Sequence, residues 1–240
     1  MFAYWEYYLM GIILLPGMIF AIYAQAKVSI EYSNYARVYA KTGITACDLL
    51  RQLLDGSGLS HIKVKRVSGN LTDHYDPKKE VICLSEDNYD SSSIASLGIA
   101  CHEFGHALQK QKRYVPYRIR TALVPVCNVG SQLLWPLVII GICLNFAATD
   151  TFIGNIFVWA GIGFFGLSVL FSLFTLPVEF NASKRAVQLL RGTGTLDEEE
   201  LVGTKKVLKA AALTYVAALV MAILNLLRFL LFVARHRNND

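Results

Sequence analysis

Four long stretches of this 240-residue chain carry no charged side chain: Tyr7–Ala26, Thr121–Thr149, Thr151–Val178 and Ala210–Leu227. A helix needs about 20 apolar residues to cross the hydrocarbon of a bilayer, and soluble cores seldom contain runs of this length. The stretches therefore predict a mainly α membrane protein with about four transmembrane helices, the last being the shortest. Composition agrees, since 54% of residues are apolar, 17% are charged and the mean hydropathy is +0.41, against about 25% charged residues in a soluble domain. The leader "MFAYWEYYLMGIILLPGMIFAIYAQAK" has no basic segment ahead of its apolar core. It reads as a retained anchor with interfacial aromatic residues, not as a cleaved signal peptide.

The position of the charges sets the expected orientation. Of 23 Lys and Arg residues, 14 lie between Lys27 and Arg120, six lie between Lys184 and Lys209, and Arg228, Arg235 and Arg237 complete the set. Lysine and arginine gather on the cytoplasmic side of spans, so both basic regions are expected in the cytoplasm, with the N-terminus and the loop around Asp150 outside. The basic residues read as topology determinants and lipid headgroup contacts, and nucleic acid is not an expected partner. Five cysteines without a CxxC pair indicate reduced thiols. The organisation that follows is an anchor at 1–26, a cytoplasmic domain at 27–120, a transmembrane hairpin at 121–176, a cytoplasmic helix at 177–209, a fourth span at 210–234 and a tail at 235–240.

Within 27–120, the segment from Val28 to about Ser60 reads as helix, with Ala46, Leu49, Leu50, Leu53 and Leu54 at helical spacing. Two short strands are expected around Ile62–Val64 and Val81–Cys83, where apolar and other residues alternate. "KEVICLS" is expected either to present an edge to an extended substrate or to be a buried hairpin strand. A helix is predicted from about Ser92 to Lys112, a short one from Pro177 to about Arg191, and a capping box at Thr195 and Glu198.

The helix at 92–112 contains "CHEFGH", a His-Glu-x-x-His pattern. A four-residue spacing stacks His102 and His106 on one face, where two imidazoles can reach one ion, and sets Glu103 beside them. Gly105 inside a helix costs up to about 1 kcal/mol relative to alanine, which calls for a close neighbour. A catalytic zinc wants a third protein ligand and an open position. Two spans after His106 the chain returns to the same side at "LPVEFNASKRA", and Glu179 emerges there. The residue is read as the third ligand; the plainer reading is a solvated glutamate at a helix N-terminus. Cys101 points about 100° away from His102 on the helix.

"ACHEFGHALQ", "PVEFNASKRA" and "LTDHYDPKKEVICLSEDNY" together resemble the YugP-type neutral zinc metallopeptidases, over nearly the whole chain. More distantly the chain is similar to the HtpX-type and CAAX-processing membrane peptidases. The resemblance implies a small α+β, zincin-like (gluzincin-type) cytoplasmic domain and one Zn²⁺ per chain on His102, His106 and Glu179. In the wider group an aspartate follows four residues after the ligand glutamate. Ser183 stands there, so orienting a histidine would fall to Ser183 or Asn181. The implied chemistry is hydrolysis of protein or peptide bonds by a zinc-activated water, with Glu103 accepting the water's proton and passing it to the leaving amine. His74, Tyr75, Tyr114 and Arg185 are the candidates for stabilising the oxyanion; for His74 the plainer reading is a polar turn residue. The expected location is the plasma membrane of a bacterium, with the active site on the cytoplasmic side. Two other functions compete: an intramembrane protease, which would want the zinc helix inside a span, and a non-catalytic scaffold that retains a metal site, which would have no use for Glu103.

Overall fold

The structure is a computed structural model and describes residues 11–146 and 151–238. In chain order its elements are α1 (Leu15–Tyr35), α2 (Ala46–Gly56), β1 (Lys63–Val67), β2 (His74–Asp76), β3 (Val81–Ser85), α3 (Glu86–Tyr89), α4 (Ile94–Gln111), α5 (Val115–Phe146), α6 (Thr151–Gly192) and α7 (Glu198–Asn238). The protein is thus mainly helical with one small sheet. The chain divides into two compact units. One draws on Ala24–Arg118 and Leu176–Thr214, the other on Met1–Tyr23, Ile119–Thr175 and Tyr215–Asp240. They are called here the polar unit and the apolar unit.

In the polar unit α2 buries Ala46, Leu49, Leu50, Leu53 and Leu54, a stripe at i, i+3, i+4, i+7 and i+8 that gives the helix one apolar face. Each leucine so buried stabilises the fold by about 1.5–3 kcal/mol. The helix starts at Thr45, whose side chain accepts from the Asp48 amide. The expected single helix from Val28 to Ser60 is instead two helices. Chain between α1 and α2 turns at Gly43 with φ +64°, and Tyr39 bridges to Ser93, which helical backbone could not do.

The sheet has order β1-β3-β2. β1 runs parallel to β3, pairing Lys63 with Val81, and β2 runs antiparallel to it, pairing His74 with Cys83. Two strands were expected; the third is His74–Asp76, placed in a turn by its polar sequence. β3 is central, with a strand on each of its edges, and is buried at all five positions. "KEVICLS" therefore offers no free edge to a substrate and is the buried hairpin strand of the other reading, its hairpin partner being β2, since β1 and β3 are parallel. β3 leads through α3 into α4. Asn88 anchors that corner: it accepts from the Tyr32 and Ser96 hydroxyls and donates to Asp73 and Ser85. Ser93 caps α4 by accepting from the Ser96 amide. The core joins α2, β3 and α4 to Ala186 and Leu190 of α6 and Leu201 and Leu208 of α7.

Two helices among the described residues are long and apolar enough to cross a membrane, Phe152–Gly192 and Glu198–Leu231. Against the four spans expected, the described residues thus offer two candidates. The Tyr7–Ala26 stretch begins outside the described residues, and its described part continues as α1 into a polar segment holding Lys27 and Glu31. The Thr121–Thr149 stretch forms most of α5, a helix that also carries Arg118, Arg120, Asn128, Pro125 and Pro136. The predicted break at Pro177 is absent, as α6 runs through it. The expected capping box at Thr195 and Glu198 is shifted: Asp197 and Glu200 exchange backbone-to-side-chain hydrogen bonds of 2.9 and 2.8 Å at the start of α7. In the apolar unit a Cβ on Gly130 would meet the Phe164 ring, and the Phe165 and Phe229 rings pack at 5.2 Å between centroids.

Candidate metal centre

The centre lies within the polar unit, on two helices. α4 supplies His102, Glu103 and His106, and α6 supplies Glu179. A Cβ added to Gly105 would sit 3.0 Å from the Ala182 carbonyl oxygen and 3.2 Å from its Cα. Glycine at this one position lets the α6 backbone approach α4, the close neighbour its sequence position called for. The approach brings Glu179 Oε2 to 3.2 Å from His102 Nε2 and 3.6 Å from His106 Nε2. The two imidazoles stand edge to face with centroids 4.8 Å apart. One ligand atom from each of the three residues lies within 4.8 Å of the others.

Glu179 is only 3% exposed and Glu103 8%. A carboxylate so buried is costly unless a cation or several donors compensate it. Burial alone would push the His106 pKa down, but Glu179, Glu103 and Gln109 outweigh it, and the net shift is upward. Two nitrogens and one carboxylate oxygen form the borderline donor set that zinc takes. Zinc–ligand bonds of about 2.0–2.2 Å put two donors on one ion up to about 4.3 Å apart, so the two carboxylate–imidazole separations fit. The Glu103 carboxylate has no hydrogen-bond partner among the described residues, which leaves its oxygens available.

Each histidine has a partner at Nδ1. His102 Nδ1 is 3.1 Å from Ser183 Oγ, and His106 Nδ1 is 3.0 Å from Gln109 Oε1. The fully buried Gln109 donates from Nε2 to the Val178 carbonyl at 2.8 Å and to Asn181 Oδ1 at 3.0 Å. Arg185 Nε donates to the same Asn181 oxygen at 2.7 Å. Ser183 is thus against a histidine, while Asn181 and Arg185 reach the centre only through Gln109. Neither Gln109 nor Tyr117, whose buried ring lies 6.3 Å from that of His106, was among the residues read from sequence. The one signal for Gln109 was its place one turn after His106.

The remaining candidates stand elsewhere or in other roles. His74 is exposed on β2, its Nδ1 2.8 Å from the Thr72 carbonyl. Tyr75 packs against the core; burial, with Glu80 and Asp76, pushes its pKa up to about 12. Tyr114 hydrogen-bonds through its backbone amide to the Gln109 carbonyl. Cys101 is fully buried and burial drives its thiol pKa up, the opposite of what a thiolate ligand needs. All five cysteines are free.

Two histidines one turn apart on α4, facing a buried glutamate of α6, are a donor set that could hold a zinc ion. The chain belongs to the family described as "Putative neutral zinc metallopeptidase", which matches residues 10–234. It is 40% identical over 221 residues to the protein named "Putative membrane protease YugP" of Bacillus subtilis, covering 92% of this chain and 94% of that one. No solved structure matches it.

Proposed function

We propose that the protein is a membrane-anchored zinc endopeptidase that cuts protein segments at the cytoplasmic face of a bacterial plasma membrane. The observation that carries this reading is the convergence of His102, His106 and Glu179 from two helices beside Glu103. His102, His106 and Glu179 would hold one Zn²⁺. The ion, when bound, supplies Lewis acidity that polarises the scissile carbonyl and brings a water's pKa to about 7. The Glu103 carboxylate accepts the proton of the attacking water and delivers it to the leaving amine. The separation of Glu103 from the ligand set favours catalysis over a structural site, which has no need of a base. Substrates are extended juxtamembrane or unfolded segments, because a helix in hydrocarbon already satisfies its own amides. The basic residues of 27–120 and 184–209 favour a cytoplasmic site.

Two variants test the assignment together. Glu179→Ala should lose zinc from the detergent-purified protein, read by metal analysis. Glu103→Gln should keep the metal and lose turnover by about 10²–10⁴-fold, the usual worth of a general base. Proteomes of membranes carrying wild-type protein and Glu103→Gln, compared side by side, would identify the substrates. Unchanged zinc in the first variant, or wild-type cleavage in the second, would overturn the corresponding role. Cleavage confined to a reporter whose flexible stretch lies at mid-span would favour an intramembrane protease instead.

A further inference from the structure

The contacts around Gln109 can be read as a chain of forced choices. Arg185 can only donate, so the Asn181 atom it meets at 2.7 Å is the oxygen. That oxygen and the Val178 carbonyl can only accept, so the Gln109 group facing both is its NH₂. The other end of the amide, Oε1, is then the one 3.0 Å from His106 Nδ1. An amide oxygen cannot donate, and two lone pairs at that distance repel. The His106 proton therefore belongs on Nδ1, which leaves Nε2, the nitrogen facing Glu179, as the one with the free lone pair. His102 is constrained the other way, because its Nε2 lies 3.2 Å from Glu179 Oε2, which can only accept and so, without an ion, favours the proton on Nε2. Its Nδ1 meets a serine hydroxyl, which donates or accepts with equal ease.

We infer that Gln109 is a positioning residue that dictates the tautomer of His106 and, through the Val178 carbonyl, clasps the α6 turn bearing Glu179 onto α4. One side chain thus serves both ends of the ligand set. It is wholly buried, it stands on the face of α4 turned to α6, and each of its three hydrogen bonds goes to a ligand, to a ligand's neighbour in sequence or to the asparagine beside it. Ser183 holds His102 in place without choosing its protonation, so the two histidines are unequal: His106 is set for ligation before any ion arrives, and His102 is not.

The inference rests on the zinc reading for its purpose but is tested apart from it. Nitrogen-15 spectra of imidazole-labelled full-length protein in detergent, metal-free and at a pH where the rings are neutral, report the proton position on each ring, with His102→Ala and His106→Ala variants assigning the signals. His106 should be the Nδ1–H tautomer by more than about tenfold, and His102 mainly the Nε2–H tautomer, its proton facing Glu179. Gln109→Leu, close in volume, should turn His106 into a mixture, leave the His102 signals in place and lower zinc affinity about 10–100-fold in a chelator competition, the usual effect of losing a ligand's supporting partner. Gln109→Glu keeps the acceptor for Nδ1–H and should keep the tautomer, while its oxygen repels the Val178 carbonyl and weakens the clasp. An Nε2–H tautomer in the wild-type protein overturns the inference without need of a variant. So does Gln109→Leu with an unchanged His106 signal. If instead the tautomers behave as stated but His106→Ala binds zinc like wild type, the metal assignment is what fails.

Discussion

The two units present opposite surfaces on one polypeptide. In the polar unit buried polar groups other than Glu103 share dense pairing: Asn88 serves four partners, Gln109 three, and every ion pair among the described residues falls within its segments. In the apolar unit large side chains stand open, with Phe152 73% exposed and Trp159 55%. Two buried polar atoms lack partners among the described residues, Arg120 Nε and Thr121 Oγ1, and both lie there. Burying apolar area against itself drives the first kind of packing. A surface that meets lipid lacks that drive and relies on close approach of small residues; in the apolar unit a Cβ on Gly130 would lie 2.5 Å from the Phe164 ring and one on Gly141 3.1 Å from the Gly154 carbonyl oxygen. What differs between the units is the medium each surface expects.

Charge on an open surface should break the comparison most sharply. Gly163, in the middle of the apolar part of α6, has nothing within 4 Å of the place a Cβ would take. Gly163→Lys costs no packing, yet a lysine near a span's centre opposes insertion by about 2.5–3.5 kcal/mol. The fraction resisting alkaline carbonate extraction should fall. Val202→Lys, at a half-exposed position of the polar unit, should stay within about 0.5 kcal/mol of wild type. Equal extraction of the two variants would mean that α6 meets water.

Adding one methyl group should give opposite signs in the two units. Gly105→Ala pushes against the backbone of Ala182, which cannot yield. Overpacking of about 1–3 kcal/mol, offset by up to about 1 kcal/mol of helix propensity, leaves a net loss of about 1–2 kcal/mol and a lower melting temperature in detergent, with weaker metal binding. Gly17→Ala meets only the Met221 sulfur and a Leu224 methyl, at 2.6 and 2.7 Å. Those side-chain ends can rotate away, so this variant should be neutral or slightly stabilising. A destabilisation at Gly17 as large as that at Gly105 would show the apolar unit to be packed as rigidly as the polar one.

The smallest effect concerns acid. Lys110, hydrogen-bonded to Glu80 at 2.8 Å, holds that carboxylate below its ordinary pKa. A carboxylate depressed in the folded state stabilises it above the unfolded pKa, and that contribution disappears as pH falls through the folded value. Glu80→Gln should thus lie slightly below wild type in melting temperature at neutral pH and merge with it in the acid limb. The gap should narrow with salt, because the pair is exposed. A gap that persists below the acid limb would mean that Glu80 acts through packing and not charge.

The sequence made legible what rests on local spacing. His102 and His106 share a face because the helix repeats every 3.6 residues, and the stripe of α2 follows from the same geometry. Glu179 could be singled out because a lone carboxylate after 28 uncharged residues stands out, and the fold does bring it to the histidines. What escaped depends on distant partners. Gln109 is an ordinary helical glutamine until the Val178 carbonyl, 69 positions away, meets it. β2 is three residues of His-Tyr-Asp that become a strand only because β3 offers an edge. Asp197 and Thr195 both suit a capping box two residues apart, and Lys41, whose amide donates to Glu200 at 2.8 Å, supports the later one. Pro177 reads as a helix start, yet the helix continues, as proline allows in apolar helices whose neighbours resupply the lost hydrogen bond.

The separation of His102 from Glu179 by 77 positions has a consequence for the order of events during synthesis. On the proposed assignment, a ribosome that has just completed α4 has made two ligands and the base, and none of them can act. The carbonyl that holds Gln109 is the last of the uncharged stretch Thr151–Val178, and the third ligand and the serine under His102 are encoded beyond it. A chain stalled or truncated before that point is born inert. On that assignment the uncharged segment works as a timer, the ligand set becoming complete only after the apolar helix has been made.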